Sequence, residues 1–153
     1  MFDEIIDQLA IFEGMDTTQR NLLKSYFDVC ECNDEEVIFA QGGSAEYLYV
    51  VIEGDVSIHF KPDDGPPLVV SRIQDGGVFG WSAALGRDTY TSCAVCVEGS
   101  SAFSVLGEEL KQLCEQYPDT GVIILERLAE VIAQRLQKTH ANVVEMLQEG
   151  VKS

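Results

Sequence analysis

Turn residues recur at short intervals between residues 29 and 106, and this spacing limits the possible folds more than any other feature. Short apolar runs alternate there with turn signals at Asn33-Asp34, Gly42-Gly43, Glu53-Gly54, Asp63-Asp64-Gly65-Pro66-Pro67, Asp75-Gly76-Gly77 and Glu98-Gly99. This alternation is typical of an antiparallel sandwich or barrel. The nearly continuous apolar run at 47–52 predicts a central strand. The alternation at 56–60 predicts a half-buried strand with Val56, Ile58 and Phe60 inward and His59 outward.

Helical periodicity brackets this β region on both sides. Apolar residues at positions 2, 5, 6 and 9 predict a first helix, and Asp16 with Gln19 three residues later resembles a capping box that opens a second helix. Helical spacing returns at 107–116, and Pro118 separates this short helix from a long one that runs to about Glu149. We therefore predict one domain, 1–153, in three parts: N-terminal helices over 1–28, a β-roll over 29–106 and C-terminal helices over 107–150.

The long C-terminal helix carries two apolar stripes. The first stripe follows heptad positions and consists of Val122, Leu125, Ala129, Ile132, Leu136, Thr139, Val143 and Met146. The second stripe lies beside it and consists of Ile124, Leu128 and Val131. Two apolar faces on one helix indicate two neighbours, which would be the β-roll and another helix. We therefore expect a homodimer through this helix. The alternative is a single wide stripe packed on the roll.

A segment from Asp75 to Val95, here called the cassette segment, has the richest functional pattern. Gly76 and Gly77 follow a strand-like run, and Ser82, a common helix cap, precedes a short apolar run. A strand-like run resumes at Tyr90. Strand, glycine turn, short helix and returning strand would make a cradle whose backbone N–H groups can hold an anion. A plain structural corner is the alternative.

Charge and hydropathy exclude several classes of partner. The net charge is −16 and the ten Lys and Arg residues are scattered singly, so we expect no nucleic-acid surface and no attraction to anionic lipid. There is no apolar run near 20 residues and the start is acidic, so we expect a soluble, cytoplasmic chain without a membrane span or signal peptide.

Five cysteines leave two interpretations open. Cys30 with Cys32 and Cys93 with Cys96 could supply four thiolates to zinc or an iron–sulfur cluster. However, residues 93 and 96 of a strand point to opposite faces, which does not suit one metal ion. The odd count, with Cys114, and the lack of a secretory start indicate free thiols, and we expect no metal site.

The cassette segment resembles the phosphate-binding cassette of the cyclic-nucleotide-binding domain family. That cassette reads Phe-Gly-Glu-Leu-Ala-Leu, then a variable tip, then Arg-Ser/Thr-Ala at the start of the next strand. The matching positions here are Phe79, Gly80, Ala83 and Leu85, with Thr91 and Ser92 where Ser/Thr-Ala would stand. Trp81 occupies the glutamate position and Tyr90 the arginine position.

The resemblance extends over residues 1 to about 147 to the sensor half of bacterial catabolite-activator-like regulators. It includes the hairpin sequence LYVVIEGDVSI and implies an eight-stranded antiparallel β-roll or jelly roll (a double-stranded β-helix) flanked by N-terminal helices and a long C-terminal helix. In the family, a Thr-Ser pair on that helix contacts the base from both subunits; Thr139 matches and His140 departs. Family transcription factors continue into a helix-turn-helix. This sequence stops at Ser153, so we expect its signal to pass to another protein or through the dimer.

The resemblance also implies how the two departures, Trp81 and Tyr90, change ligand binding. In the family, the glutamate accepts a hydrogen bond from the ribose 2′-hydroxyl and the arginine pairs with the cyclic phosphate. Tyr90 can donate one neutral hydrogen bond but cannot neutralise an anion. Arg87, beside Asp88 at the cassette tip, could replace the lost cation. We expect that cAMP affinity is lost or strongly weakened.

We predict a regulatory sensor module that binds a nucleotide or analogue, such as cAMP or cGMP, in the roll with weak or altered cAMP binding. The alternative is a degenerate domain, its pocket filled by Trp81, that acts as a dimeric interaction module. The candidate ligand-binding residues are Phe79, Gly80, Trp81, Ser82, Ala83, Arg87, Tyr90, Thr91, Ser92, Thr139 and His140.

Two further classes are weighed against this function. A metal-dependent cupin enzyme needs several histidines on neighbouring strands, whereas this chain has His59 and His140 on different elements, so we predict no enzyme and no catalytic residues. A haem sensor could ligate iron through His140 or a cysteine. A solvent-facing histidine is the simpler interpretation of His140.

Overall fold

The computed structural model of the chain describes the backbone of residues 9–152. It describes their side chains too, except those of Ala10, 135–143, 145, 146 and 149–152. The helix predicted at 2–9 therefore lies outside the described residues, apart from its last position. The backbone of Thr139 and His140 is helical, but their side chains lie outside the description.

Helices flank a β region in the described chain, in the predicted order. A 3-10 turn at Ala10–Phe12 and helix α1 at Thr17–Tyr26 come first, and helices α2 at Gly107–Gln116 and α3 at Pro118–Lys152 come last. Between them lie β1 at Asp28–Cys32, β2 at Val37–Phe39, β3 at Tyr47–Phe60, β4 at Leu68–Gln74, β5 at Val78–Phe79 and β6 at Cys93–Leu106. The predicted capping box is confirmed, because the Gln19 N–H donates to Asp16 Oδ1 over 2.8 Å and the Asp16 N–H donates to Gln19 Oε1 over 3.1 Å.

Strands β3 and β6 form the frame of the sheet. They pair antiparallel along almost their whole length, from Tyr47 opposite Leu106 to His59 opposite Cys93. Strand β1 lies on the far side of β6 and β4 on the far side of β3, while β2 also pairs with β6 and β5 with β3. Each frame strand is 14 residues long and bends midway, so counting each as two gives the eight strands of the predicted roll. The mainly antiparallel β fold with flanking helices is confirmed.

The bend in β3 is built on Gly54. Register shifts accumulate between Val51 and Val56, and Gly54 has a φ of +135°. A Cβ atom there would lie 2.0 Å from Ser100 Oγ on β6. The same hydroxyl accepts a 3.0 Å hydrogen bond from the Asp55 N–H, so the two strands touch where both bend.

Two apolar clusters stabilise the domain. One packs the 3-10 turn and all three helices against the outside of the sheet, and it includes Leu23, Phe103, Leu113, Ile124 and Leu128. The other lies inside the roll and includes Val51, Val56, Ile58, Ile73, Phe79 and Ala94. Of the two stripes predicted on α3, the one with Ile124 and Leu128 is buried on the roll, while Val122 and Leu125 are 55% and 50% exposed.

One detail of β3 differs from the predicted alternation. Phe60 was expected to face inward, but it is 40% exposed, and His59 is half-buried. The β3–β4 register shifts between Ile58 and His59, and such a shift interrupts the alternation of faces. No helix among the described residues is long and apolar enough to cross a membrane.

Substituting Gly54 should destabilise the domain far more than substituting a glycine in open space. Gly54→Ala should lower the free energy of unfolding by at least about 3 kcal/mol, because strand β6 must move to admit the methyl group. Gly86 is the matched control, since its φ is +74° and a Cβ there would meet nothing within 4 Å. Gly86→Ala should cost about 1–2 kcal/mol, the cost of the backbone conformation alone. Urea denaturation measures both, and equal losses would contradict the close approach at Gly54.

Candidate ligand site at the cassette segment

The cassette segment forms a turn where a short helix was predicted. After β5, residues 81–86 form hydrogen-bonded turns. The Leu85 N–H donates to Trp81 O, four residues earlier, and the Arg87 N–H donates to Ser82 O, five residues earlier, each over 3.0 Å. The prediction of a short helix is wrong, because helical i to i+4 bonding is not sustained across this turn. The Ala83 N–H, expected to be free for an anion, donates to Gly80 O over 3.3 Å.

Gly80 has a packing role that explains why this position is glycine. Its φ is +77°, and a Cβ atom there would lie 2.8 Å from Tyr47 O and 3.1 Å from the Tyr49 ring. The cassette segment therefore lies directly against the start of β3. The Phe79-Gly80 pair serves this close approach whether or not a ligand is bound.

Tyr90, at the position of the family arginine, is part of the protein interior. Its side chain is 4% exposed, and its hydroxyl donates to Tyr47 O over 2.6 Å and accepts from the Tyr47 N–H over 3.0 Å. Its backbone pairs with Gly42 and Gly43, each bond 2.9 Å long. Burial raises the pKa of the Tyr90 hydroxyl, so the group is neutral at physiological pH. Its single proton is already donated to Tyr47.

Stacked rings fill the roll beside Tyr90. We call Phe39, Tyr47, Tyr49, Phe79 and Tyr90 the aromatic cluster. The rings of Phe39 and Tyr90 are nearly parallel with centroids 3.7 Å apart, and those of Tyr49 and Phe79 are parallel at 4.8 Å. Phe79 and Tyr90 were among the residues predicted from the sequence, whereas Phe39, Tyr47 and Tyr49 were not. The recurrence of tyrosines at 47 and 49 was a usable signal, but it was interpreted as an ordinary central strand.

The space left at the cassette segment is small. A cavity of about 20 Å³ remains, lined by Phe39, Ile58, Phe79, Gly80, Trp81, Ser82, Tyr90, Thr91 and Ser92. The structure thus brings seven of the eleven predicted residues to one place. A cavity of this size has room for about one water molecule, not for a nucleotide.

The other predicted residues lie apart. Ala83 lines a separate groove of about 340 Å³ between the cassette segment and α2, and Arg87 is exposed. Trp81 borders the small cavity and also packs, half-buried, on the cluster between sheet and helices. The rings that occupy the interior are therefore those of Tyr90 and Phe39, whereas the alternative of a degenerate domain gave that place to Trp81.

A second cavity lies on the other side of the Phe79 ring. It measures about 180 Å³ and is lined by Cys30, Glu31, Cys32, Glu36, Ile38, Tyr49, Val51, Val56, Phe79, Ser100, Ser101 and Ala102. We call it the thiol cavity. Its charged lining residues, Glu31 and Glu36, are both acidic, which disfavours a phosphate.

Comparison with known proteins agrees with this architecture. The sequence model of the family described as "cyclic nucleotide-binding domain" matches residues 30–117, which run from β1 to the end of α2. The chain belongs to this family. The cassette segment lies within the matched residues.

Individual relatives are distant in sequence but close in fold. A CRP-like cAMP-activated global transcriptional regulator from Mycobacterium tuberculosis is 25% identical over 145 residues, which cover 95% of this chain and 63% of that protein. A cyclic nucleotide-binding domain from Methylobacillus flagellatus superposes with a TM-score of 0.83 at 16% identity, covering 95% of this chain and 83% of that one. The regulatory subunit of a cAMP-independent protein kinase A from Trypanosoma brucei superposes with a TM-score of 0.70 at 17% identity, covering 85% and 46%.

Removing the Tyr90 hydroxyl should destabilise the whole domain. Tyr90→Phe leaves both Tyr47 backbone groups without their partner, and we expect the free energy of unfolding to fall by about 1–3 kcal/mol. Tyr117→Phe is the control, since Tyr117 is 45% exposed and its loss of a hydroxyl should change stability by less than about 0.5 kcal/mol. If chemical denaturation finds the two variants equally stable, the hydroxyl does not hold the cassette segment to β3.

Proposed function

We propose that this chain is a regulatory domain whose cassette segment is closed by Tyr90 and does not hold the cyclic phosphate of cAMP. The observation that carries the proposal is the double hydrogen bond between the Tyr90 hydroxyl and the Tyr47 backbone, at the position where the family has arginine. The cavity of about 20 Å³ beside it supports the same conclusion. Any ligand that this domain senses must either displace the aromatic cluster or bind elsewhere.

Energetics weigh against cAMP at this site. A phosphate can enter only if Tyr90 leaves, which breaks its bonds to Tyr47 and its stack on Phe39. Among the side chains that the structure describes, no arginine replaces the lost charge, because Arg87 is exposed at the cassette tip. Losing one partner of a buried charge pair costs roughly 2–5 kcal/mol, or about 30-fold to several thousand-fold in affinity. The net charge of −16 adds a further unfavourable field for an anion.

The named relatives show different responses to cAMP. The regulator from Mycobacterium tuberculosis is named as cAMP-activated, whereas the kinase subunit from Trypanosoma brucei is named as cAMP-independent. Membership of the fold therefore does not by itself indicate cAMP binding. For this chain, Trp81 and Tyr90 favour a regulatory domain that does not respond to cAMP.

Cyclic AMP binding can be tested by calorimetric titration of the wild-type protein and two variants. We expect no detectable binding by the wild-type protein and at least about 30-fold tighter binding by Trp81→Glu/Tyr90→Arg, which supplies both family ligands. Tyr90→Phe is the control, because it loosens the same ring without adding a charge, and it should not gain affinity. The double variant should unfold at lower temperature, since it loses the Tyr47 contacts.

Two outcomes would contradict the proposal. One is a micromolar or tighter dissociation constant for the wild-type protein. The other is a folded double variant, verified by circular dichroism, whose affinity for cAMP is no higher than that of the wild type.

The output of the domain is proposed to pass through a homodimer formed by α3. Val122, Leu125 and Leu147 are 55%, 50% and 66% exposed on this helix, while the stripe with Ile124 and Leu128 is already covered by the roll. A helix with an unpaired apolar face pairs favourably with a second copy of itself.

Self-association can be measured by analytical ultracentrifugation. We expect a dimer for the wild type and a monomer for Leu125→Glu, because the charge would be desolvated in the helix pair. Val29→Glu is the control, since Val29 is 49% exposed on β1, away from α3. A monomeric wild type at micromolar concentration would contradict the proposal.

A further inference from the structure

Two thiols from different strands meet beside the thiol cavity. Cys32 is the last residue of β1 and Cys96 lies in β6, 64 positions further along the chain, and their Sγ atoms are 2.6 Å apart. We propose that Cys32 and Cys96 form a reversible disulfide when the protein meets a small uncharged peroxide such as hydrogen peroxide. This inference does not depend on whether the cassette segment binds a nucleotide.

The backbone around both cysteines is fixed in a position that suits the bond. Cys32 pairs with Ser100 in the β1–β6 register. The Cys96 N–H donates to Glu36 O over 2.8 Å, and Cys96 O accepts from the Glu35 N–H over 2.7 Å, so the turn after Cys32 is held to Cys96 itself. A disulfide needs its two sulfur atoms close without large backbone movement, and that condition is met here.

The two thiols differ in access, and this sets the order of reaction. Cys32 is half-buried and lines the thiol cavity, whereas Cys96 is 0% exposed and its thiol donates to Glu98 O over 2.8 Å. An oxidant in the cavity therefore reaches Cys32 first. A cavity of about 180 Å³ admits hydrogen peroxide, while Glu31 and Glu36 in its wall repel anionic oxidants such as glutathione disulfide.

The chemistry balances with one peroxide for each pair of thiols. The Cys32 thiol loses its proton, the thiolate attacks one peroxide oxygen, and the O–O bond breaks. Cys32 becomes a sulfenic acid, while the other oxygen leaves as hydroxide and takes up that proton to form water. Cys96 Sγ then attacks the sulfenic sulfur, the S–S bond forms, and the sulfenic hydroxyl leaves with the Cys96 proton as a second water. Two thiols are oxidised by two electrons, and one peroxide is reduced to two waters.

The first step is slow and the second is fast. Burial, the hydrogen bond with Cys96 and the nearby Glu36 carboxylate together raise the pKa of Cys32 to about 12. Little thiolate is therefore present at neutral pH, and the pair responds to sustained rather than brief exposure. Once Cys32 is oxidised, the neighbouring Cys96 intercepts the sulfenic acid in an intramolecular reaction before a second peroxide can convert it to a sulfinic acid.

The test is peptide mapping of the oxidised wild-type chain. The folded protein is exposed to hydrogen peroxide at mildly alkaline pH, digested with trypsin without reductant, and analysed by tandem mass spectrometry. We expect residues 25–72 to be linked to residues 88–111 through Cys32 and Cys96, with the loss of two hydrogen atoms and full reversal by dithiothreitol. Oxidation should also raise the melting temperature by about 5 °C or more, because the link closes a long loop.

Serine variants identify the pair. Cys30→Ser is the matched control, since Cys30 lines the same cavity on the same strand and its thiol donates to Ala102 O; this variant should still form the link. Cys32→Ser and Cys96→Ser should not. If either variant fails to fold, the wild-type map alone decides.

Three results would overturn the inference. These are a sulfinic acid at Cys32 without a cross-link, a cross-link through Cys30 or Cys93, and no change in the wild-type mass after prolonged exposure. A parallel sample with glutathione disulfide tests the access route. Slower oxidation than by peroxide supports entry through the acidic cavity wall, and equally rapid oxidation contradicts it.

Discussion

The pairing of β3 with β6 is the interaction on which the rest of this domain depends. Both strands run through the whole roll, so each contributes residues to the cluster under the helices and to the cluster inside the roll. Their common bend at Gly54 and Ser100 closes the roll without a break in the chain. Every other strand pairs with one of these two, and the helices pack on the outer face that they create.

At the cassette segment, aromatic side chains pack where the resemblance implies charged ligand-binding residues. The resemblance assigns Trp81 and Tyr90 to the positions of the two charged ligand-holders, and Phe39 stacks on Tyr90 with ring centroids 3.7 Å apart. The Tyr90 hydroxyl instead donates one hydrogen bond to Tyr47 O and accepts one from the Tyr47 N–H. The fold of the cassette segment is therefore retained, but a cavity of only about 20 Å³ remains beside the rings.

Much of this architecture could be read from the sequence, because it depends on local signals. The capping box at Asp16 and the limits of α2 are set by residues close together in the chain. The turn predicted at Glu53-Gly54 is instead a bend within the continuous strand β3. The cassette frame was found through its resemblance to the family. The filling of the space at the cassette segment by the Tyr90 ring could not be predicted, because it depends on contacts of Tyr90 with Phe39 and Tyr47, which are distant in sequence. The meeting of Cys32 and Cys96 was missed for the same reason.

The two hydrogen bonds between the Tyr90 hydroxyl and the Tyr47 backbone have a consequence for how the sequence of such a domain can change. One side chain now serves both a folding role and the position of a ligand contact. A single change to arginine at this position would remove two backbone partners before a second change at Trp81 could complete a nucleotide site. The intermediate sequence would lose the Tyr47 contacts without gaining the second family ligand, so the stability of the domain and its proposed ligand contact depend on the same residue.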